Sequence, residues 1–424
     1  PPDTLTTVRR PANPFADLPR EVGVLVVIAF LVALGFGIVA PAIPVFAKQF
    51  GVSYFAVGAV VSAFALMRFV SALGAGAVVD RFGERLILTT GVWVVGLSSA
   101  LAGLAHSYEH LLLMRAAGGI GSAMFTVSAL GLLLRTAGDG QRGRAAGAFQ
   151  GGFLIGGISG PLLGGLISAW SVRATFFVYA AMLAIAGLFC LTALRNSPAA
   201  SRVADPTEPR PSGLRERLAP LGRALRMQPF TTALVINLGN GFVAFGLRSS
   251  LIPLFVVEAL RSTTALTGIG LFTAAGIQAI LLVPAGRISD QRGRRPALIV
   301  GTSSVLLGML IMAFTHHPPV FLLAMAVLGI GSAFMGSAPA AVVGDVEPAR
   351  GGTVVAAFQM ASDLGAITGP LIAGLLVSGA GYPWAFGTGA LVALVGLLLA
   401  ATMPETNASA RSASASSPAS TGPQ

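Results

Sequence analysis

The sequence predicts an all-α membrane protein in which twelve transmembrane helices form two pseudo-symmetric six-helix bundles. Composition is the first reason: 54% of the 424 residues are hydrophobic and only 10% are charged, which is too little polar surface for a water-soluble protein of this size. The second reason is a set of twelve apolar runs of about 20 residues, each long enough to cross a hydrocarbon core as a helix. The third is an internal repeat that relates the two halves.

The twelve runs predict helices rather than barrel strands, which need only about 10 residues of alternating character. The predicted spans of the first half are Val22 to Phe46, Tyr54 to Val79, Leu86 to Ala105, Leu111 to Leu134, Ala145 to Ser168 and Ala174 to Leu194. Those of the second half are Thr231 to Val256, Thr264 to Ile288, Ala297 to Thr315, Val320 to Val343, Val354 to Val377 and Trp384 to Thr402.

The repeat is visible in two motifs that recur at the same offset. GAVVDRFGER begins at Gly76 and GRISDQRGRR at Gly286, while GIGSAMF begins at Gly119 and GIGSAFM at Gly329, so both pairs are 210 residues apart. An offset of nearly half the chain indicates two copies of one multi-helix unit rather than a solenoid of short modules. Membrane carriers are commonly built from two such units around a central site.

The repeat and the composition predict five segments. We expect a polar tail over residues 1–20, a first bundle over 21–194, a linker over 195–229, a second bundle over 230–403 and a disordered tail over 404–424. Arginines concentrate in the tails, the linker and every second loop, whereas the other loops hold only Lys48, Arg173 and Arg261. The positive-inside rule therefore predicts a multi-pass plasma-membrane protein with both termini in the cytoplasm.

The net charge of +11 comes from the arginines that set this topology. Attraction of these arginines to anionic lipid headgroups is an additional effect that we expect. We expect membrane lipid around the protein, no nucleic-acid partner and a monomer.

Two copies of one loop motif follow the second and eighth spans. The first copy consists of Gly76, Asp80, Arg81, Gly83 and Arg85, and the second of Gly286, Asp290, Gly293, Arg294 and Arg295. Each aspartate ends a helix, where it can pair with nearby arginines or with the positive end of an adjacent helix. With these motifs the chain resembles the twelve-helix drug/proton antiporters of the major facilitator superfamily over nearly all of its membrane part.

The resemblance implies that these loops form a latch, which holds the cytoplasmic side shut in one state. Glu84 departs from the family pattern, in which a basic residue is usual at that position. A tight turn with solvated charges is the alternative interpretation of the motif.

A second motif lies in the fifth span and resembles the fifth-helix motif of the superfamily's antiporters. It consists of Gly147, Gly156, Gly160, Pro161, Gly164 and Gly165. Glycines four residues apart form a groove along one helix face into which a partner helix can pack, and Pro161 weakens the helix locally. The resemblance implies export, and ordinary close packing without directional meaning is the alternative.

A third motif places Arg115 ahead of Gly119 and Gly121 in the fourth span. It resembles the fourth-helix motif that is linked to proton transfer in the superfamily. The equivalent position of the second half is Met325, so the repeat does not need a cation there for packing. Anchoring near the outer interface is the alternative.

Arg68 and Asp363 are ionisable residues deep inside predicted spans, where a charge costs about 2.5 to 3.5 kcal/mol and usually marks a pathway or a partner. Arg68 lies 12 residues before Asp80, about 18 Å from the membrane surface at 1.5 Å per residue, and Asp363 reaches a similar depth. The resemblance implies that the second and eleventh helices face each other, which would let the two side chains meet. Their repeat counterparts, Gln278 and Leu154, carry no charge.

We expect protonation of Asp363 to weaken this pair and so to couple proton movement to rocking of the bundles. A static interhelical ion pair is the alternative.

Several further polar residues are candidates to face a central cavity. They are Gln150, Gln359, Asn237, Asn240, Thr126 and Gln278. Amide side chains also serve as interhelical hydrogen-bond partners, and that alternative stays open for each of them. Arg248, near the end of the seventh span, can either reach the interface or gate the pathway.

These features predict a proton-coupled exporter of small amphipathic compounds that works by alternating access. The first span lacks the acidic residue that similar antiporters often carry, so protons would use Asp363. An importer or facilitator of a small polar metabolite is the alternative, and a membrane sensor with the same fold is a third possibility. We expect no enzyme, no cofactor and no metal site, because the sequence has no nucleophile elbow, metal-ligand cluster or phosphate-binding loop.

Overall fold

The computed structural model describes residues 18–137, 141–195, 197, 219, 221–346 and 352–407. Within these ranges the chain is helical and has no strand, and twelve helices are long and apolar enough to cross a membrane. In chain order they are α1 (Arg20–Lys48), α2 (Tyr54–Phe82), α3 (Glu84–Gly103), α4 (Tyr108–Thr136), α5 (Arg142–Trp170), α6 (Val172–Ala193), α7 (Gln228–Glu258), α8 (Thr264–Arg292), α9 (Arg294–Phe314), α10 (Pro318–Val346), α11 (Gly352–Ala380) and α12 (Tyr382–Thr402).

The predicted spans and the observed helices agree, with ends that differ by a few residues because helices continue past their apolar runs into polar caps. Most of the two predicted tails and of the linker lies outside the described residues.

Two glycines explain the sharp turns in the repeated loop motif. Gly83 separates α2 from α3 with φ of 80°, and Gly293 separates α8 from α9 with φ of 110°. Both values lie in the left-handed region that glycine adopts without a steric penalty. We call the membrane side that holds these two turns the motif side, and the side where α2 begins at Tyr54 and α7 ends at Glu258 the opposite side.

Three of the helices are interrupted. In α1 the helix breaks around Pro41, which cannot donate a backbone hydrogen bond, and in α10 it breaks between Met335 and Ala338. In α7 the stretch Gly241–Leu247 is π-helical. Short π-helical insertions are rare and occur frequently at functional sites.

The helices form two bundles, and each has its own apolar core. In the first bundle α1 packs on α5 and α6, and α3 packs on α4 and α6. In the second bundle α9 packs on α10 and α12, and α8 packs on α10. The largest fully buried side chains include Phe46, Leu88, Leu132 and Phe176 in the first bundle and Phe230, Phe321 and Phe386 in the second.

The glycine row of α5 receives α1. A Cβ atom at Gly156 would lie 2.5 Å from the Phe30 carbonyl oxygen, and one at Gly164 would meet the backbone of Ile38. Gly160 lies against Gly37 in the same way. The row therefore brings two helix backbones into direct contact, and this contact is a packing feature of the first bundle.

The two bundles meet along a seam that consists mainly of α2 against α11 and α5 against α8. On α2 the contacts run from Gly58, which abuts the backbone of Pro370, to Ser62, whose hydroxyl donates to the Ile367 carbonyl at 2.6 Å. Between α5 and α8 the closest approach is Gly165 against Gly268. All of these contacts lie in the half of the membrane nearer the opposite side.

Toward the motif side the same two helix faces separate. Ala72 continues the row of α2 residues that contact α11, yet it is exposed, as are Ala356 and Gln359 on α11. The protein is therefore closed toward the opposite side and open toward the motif side.

A carboxylate closes the opposite end of the seam. Glu258, at the end of α7, accepts hydrogen bonds from the hydroxyl groups of Tyr54 at 2.5 Å and Tyr382 at 2.6 Å. Tyr54 belongs to the first bundle, whereas Tyr382 and Glu258 belong to the second. The Lys48 ammonium lies 3.8 Å from the centre of the Tyr54 ring, so a cation from the first bundle stabilises this clasp through the ring.

We predict that Gly156→Ala destabilises the protein, because the added methyl group would overlap the backbone of α1, and overpacking costs about 1 to 3 kcal/mol. Gly157→Ala is the matched control, since nothing lies within 4 Å of a Cβ atom at that position. Thermal unfolding in detergent should show a lower Tm for the first variant and no decrease for the second. Equal Tm values for the two variants would contradict the packing that we describe.

We predict that Tyr54→Phe loosens the opposite end of the seam, because it removes the hydrogen bond that joins the bundles through Glu258. A loss of about 1 kcal/mol is a roughly fivefold shift in the equilibrium between the closed and open seam. The shift is measured as the rate at which a membrane-impermeant maleimide labels a cysteine introduced at Ser62, with Cys190 replaced by Ala.

Tyr382→Phe is the control for this experiment, since it removes a bond to the same carboxylate within one bundle. A labelling rate that rises equally in both variants, or in neither, would show that the clasp does not hold the seam.

Candidate functional site

An ion pair lies where the closed part of the seam ends. The Arg68 guanidinium on α2 donates to the carboxylate of Asp363 on α11, and the pair joins the two bundles. The side chains are 38% and 27% exposed, so water entering from the motif side reaches both. A pair at this position can respond both to separation of the bundles and to a proton from the open side.

Glycines on both sides hold the two partners in position. Behind α2, Gly119 of α4 lies against the backbone of Phe64 and Arg68. Behind α11, Gly241 lies against the carbonyl of Ser362, and Gly365 lies against the backbone of α7. Because no side chain separates these backbones, α4 and α7 determine the positions of the two helix segments that carry the ion pair.

Arg115 lies inside the first bundle, where only 5% of it is exposed. Its guanidinium carbon is 4.5 Å from the centre of the Phe64 ring, and its Nε atom has no hydrogen-bond partner. A side chain buried to this degree packs inside the bundle. The geometry places the cation one aromatic ring away from the α2 segment that holds Arg68.

The second copy of the loop motif forms a network within its own bundle. Arg294 contacts Asp290 and bonds Asp345 of α10 at 3.1 Å. Arg295 donates to the Ala401 carbonyl at 2.5 Å, and Glu405 accepts from the backbone amides of Arg294 and Arg295. None of these described contacts reaches the first bundle, so they do not form a latch across the seam in this conformation.

The first copy of the motif contains the counterpart of the ion pair between Arg294 and Asp345, with both charges reversed. Glu84, which occupies the position of Arg294 in the repeat, is 1% exposed and pairs with Arg135 of α4 at 2.6 Å. Arg135 in turn occupies the position of Asp345. The departure from the family pattern at Glu84 is thus compensated by an opposite exchange in α4, which retains the ion pair.

The other residues of the first copy make few described contacts. Arg85 donates to the carbonyls of Leu191 at 3.2 Å and Arg195 at 3.3 Å, and Arg81 lies over the Phe82 ring. No atom lies within 4 Å of a Cβ position on Gly76 or Gly286. The side chain of Asp80 lies outside the described residues.

The candidate cavity residues have different environments. Asn237 is buried and donates to the Phe358 carbonyl at 2.6 Å, so it links α7 to α11 rather than facing a cavity. Thr126 donates to a carbonyl of its own helix. Gln150 and Gln359 are exposed, whereas Gln278 and Asn240 are half-buried.

An apolar cavity of about 570 Å³ opens between α1 and α5 in the half nearer the motif side. It is lined by Val26, Val27, Phe30, Arg144, Gly147, Ala148, Gly151, Gly152 and Ile155. Its volume and lining suit a drug-sized apolar or amphipathic molecule. Among the described residues no cluster of histidine, cysteine, aspartate or glutamate could hold a metal ion.

The sequence analysis missed the clasp at Glu258. An acidic residue at the end of a span is common in membrane proteins, and its partner Tyr54 is 204 residues away. The compensating exchange at Arg135 was detectable, because the repeat offset aligns it with an aspartate. Only the comparison of both positions together gives that signal.

Comparisons with known proteins agree with this architecture. The family model described as the Major Facilitator Superfamily matches residues 25–277 and 249–423. The chain is 27% identical over 383 residues to Multidrug resistance protein 1 of Bacillus subtilis, covering 88% of this chain and 94% of that protein. It is 26% identical over 262 residues to the quinolone resistance protein NorA of Staphylococcus aureus, covering 60% of this chain and 64% of that protein.

Solved structures share the fold at lower identity. A bacterial homologue of the human lysosomal transporter Spinster, in an inward-facing and unoccupied conformation, matches with a TM-score of 0.72 at 18% identity over 93% of this chain and 97% of that one. The nucleoside transporter NupG matches with a TM-score of 0.70 at 16% identity over 90% of this chain and 99% of that one. At such identities the likeness shows the fold alone.

The chain therefore belongs to the Major Facilitator Superfamily and is an integral multi-pass membrane transporter of small molecules, not an enzyme.

Proposed function

We propose that this protein is a proton-coupled exporter of small amphipathic compounds. It acts as a monomer in the plasma membrane, with the motif side and both termini in the cytoplasm. The observation that carries the proposal is the ion pair between Arg68 and Asp363, placed between the bundles at the inner end of the closed seam. The arginine-rich loops on the motif side support the orientation.

The ion pair supplies a coupling step. In the present conformation the charged Asp363 bonds Arg68 and stabilises the seam that closes the opposite side. When the opposite side opens, α2 and α11 separate there, so Asp363 leaves Arg68 and becomes accessible to a proton. Return to the present conformation brings Arg68 back, and the guanidinium displaces the proton toward the motif side. A proton moving down 100 mV supplies about 2.3 kcal/mol for this cycle.

Two features support an amphipathic substrate and export. The cavity between α1 and α5 is lined mainly by apolar side chains and lies in the half nearer the motif side, from which an exporter takes its substrate. The relatives named as multidrug and quinolone resistance proteins align over most of this chain. The fold supports alternating access, in which the two bundles rock about the central site.

We predict that Asp363→Asn abolishes proton-driven transport, because the amide cannot gain or lose a proton. The test uses proteoliposomes with an acidic lumen, the membrane potential clamped at zero and a permanently charged cationic dye as the probe. A pH difference of one unit supports about a tenfold accumulation of dye by one-for-one exchange. The wild type should approach this ratio, and the variant should equilibrate without accumulating dye.

Glu109→Gln, which neutralises an exposed carboxylate on the opposite side, is the matched control and should behave as the wild type. Full accumulation by Asp363→Asn would refute the coupling role and leave a static ion pair. Accumulation only when the lumen is alkaline would indicate symport and favour the importer alternative, whichever way the protein is inserted.

A further inference from the structure

A third intramembrane arginine has no acidic partner. Arg248 follows directly after the π-helical stretch of α7, and its Nη1 atom donates to the Ser332 hydroxyl of α10 at 3.5 Å, the long limit of a hydrogen bond. Within the described residues no carboxylate lies within ion-pair distance of Arg248, whereas Arg68 and Arg294 each pair with an aspartate. Its guanidinium charge is therefore not compensated by any carboxylate of the described residues.

Packing does not explain this cation. The sequence IPLF, which begins at Ile252, repeats IPVF, which begins at Ile43. This alignment places Arg248 at the position of Val39 in the first half. Val39 is fully buried among apolar side chains. The equivalent position of the first bundle is thus occupied by a valine, while a charge in apolar surroundings costs several kcal/mol unless it is paired. A cation at this depth points to a partner other than the described residues of the chain.

The space beside Arg248 fits a small anionic group. A cavity of about 30 Å³ lies between α7, α9, α10 and α12, with Arg248, Asn240, Ser332 and Thr302 as its polar lining and aliphatic side chains around them. This is room for about two water-sized groups, such as the two oxygens of a carboxylate. The amide of Asn240 makes no hydrogen bond within the described residues and remains half-buried, as does Arg248. Both donors are therefore available to a ligand that enters this cavity.

We propose that Arg248, assisted by Asn240 and Ser332, binds a carboxylate on the transported molecule. The guanidinium plane matches a carboxylate bidentately, which fixes the orientation of a bound amphiphile as well as adding affinity. The substrates that this protein binds best are then amphipathic acids and zwitterions rather than purely cationic compounds. This inference rests on the proposed function only in that the carboxylate belongs to the transported compound.

The test is equilibrium binding to the full chain in lipid nanodiscs. The probes are a xanthene dye with a free carboxylate and the methyl ester of the same dye, which differ only at the group in question. The wild type should bind the acid about tenfold more tightly than the ester, the effect of one charge-assisted interaction. Arg248→Gln should lower acid affinity to that of the ester and leave ester affinity unchanged, which also shows that the variant is folded.

Two further variants complete the design. Arg248→Lys keeps the charge without the bidentate fork and should retain part of the preference. Arg261→Gln, which removes an exposed arginine outside the membrane spans, should retain all of it. Equal binding of acid and ester by the wild type, or an unchanged preference in Arg248→Gln, would overturn the proposal.

A free inorganic anion is the competing occupant. If chloride alone raised the Tm in an Arg248-dependent manner while the wild type showed no dye preference, the cavity would bind an inorganic anion and the substrate assignment would be wrong. Because binding is measured without a gradient, failure of the proton-exchange prediction and failure of this one are separate results.

Discussion

The contact between α2 and α11 is the constraint on which the rest of the structure depends. At Gly58 and Gly374 the two backbones meet without an intervening side chain, so this part of the seam is either fully packed or open. Packed interfaces of this kind switch between discrete arrangements rather than deforming continuously. The hydroxyl of Ser62 and the clasp at Glu258 stabilise the packed arrangement on the opposite side, and the ion pair of Arg68 and Asp363 marks its inner limit.

Three arginines that lie well inside their spans are accommodated in three different ways. Arg68 has a carboxylate from the other bundle, Arg115 has the face of Phe64, and Arg248 has a single distant hydroxyl. These partners differ in how readily they can be exchanged. A carboxylate can be neutralised by a proton and a weakly bound hydroxyl can be replaced by a ligand, whereas a buried aromatic ring can do neither. In the function and the inference that we propose, proton and substrate therefore have separate binding groups, one at the seam and one inside the second bundle.

The two halves share one fold, and the charged residues of the candidate site are those that occur in only one of them. The ion pair between Glu84 and Arg135 repeats that between Arg294 and Asp345 with both charges exchanged, so a structural link survives although neither residue is retained. By contrast, Arg68, Asp363, Arg115 and Arg248 have uncharged counterparts in the other half. A symmetric fold supports alternating access, and these four charged residues are what distinguishes the interior of one half from that of the other.

The sequence by itself determined the twelve spans and the two-bundle architecture. These follow from run length, which is a local property of the chain, and from the repeat offset, which is visible without any contact between helices. The resemblance of the motifs also implied that α2 faces α11, which made contact between Arg68 and Asp363 foreseeable.

Only the tertiary structure decided which side of the seam is closed, that Glu258 clasps Tyr54, that Asn237 is an interhelical link and that Arg248 has no acidic partner. Each of these depends on how two rigid bundles, whose contacting residues lie hundreds of positions apart, are oriented against each other. Hydrophobic periodicity does not encode that orientation, because faces against lipid and faces against protein are both apolar.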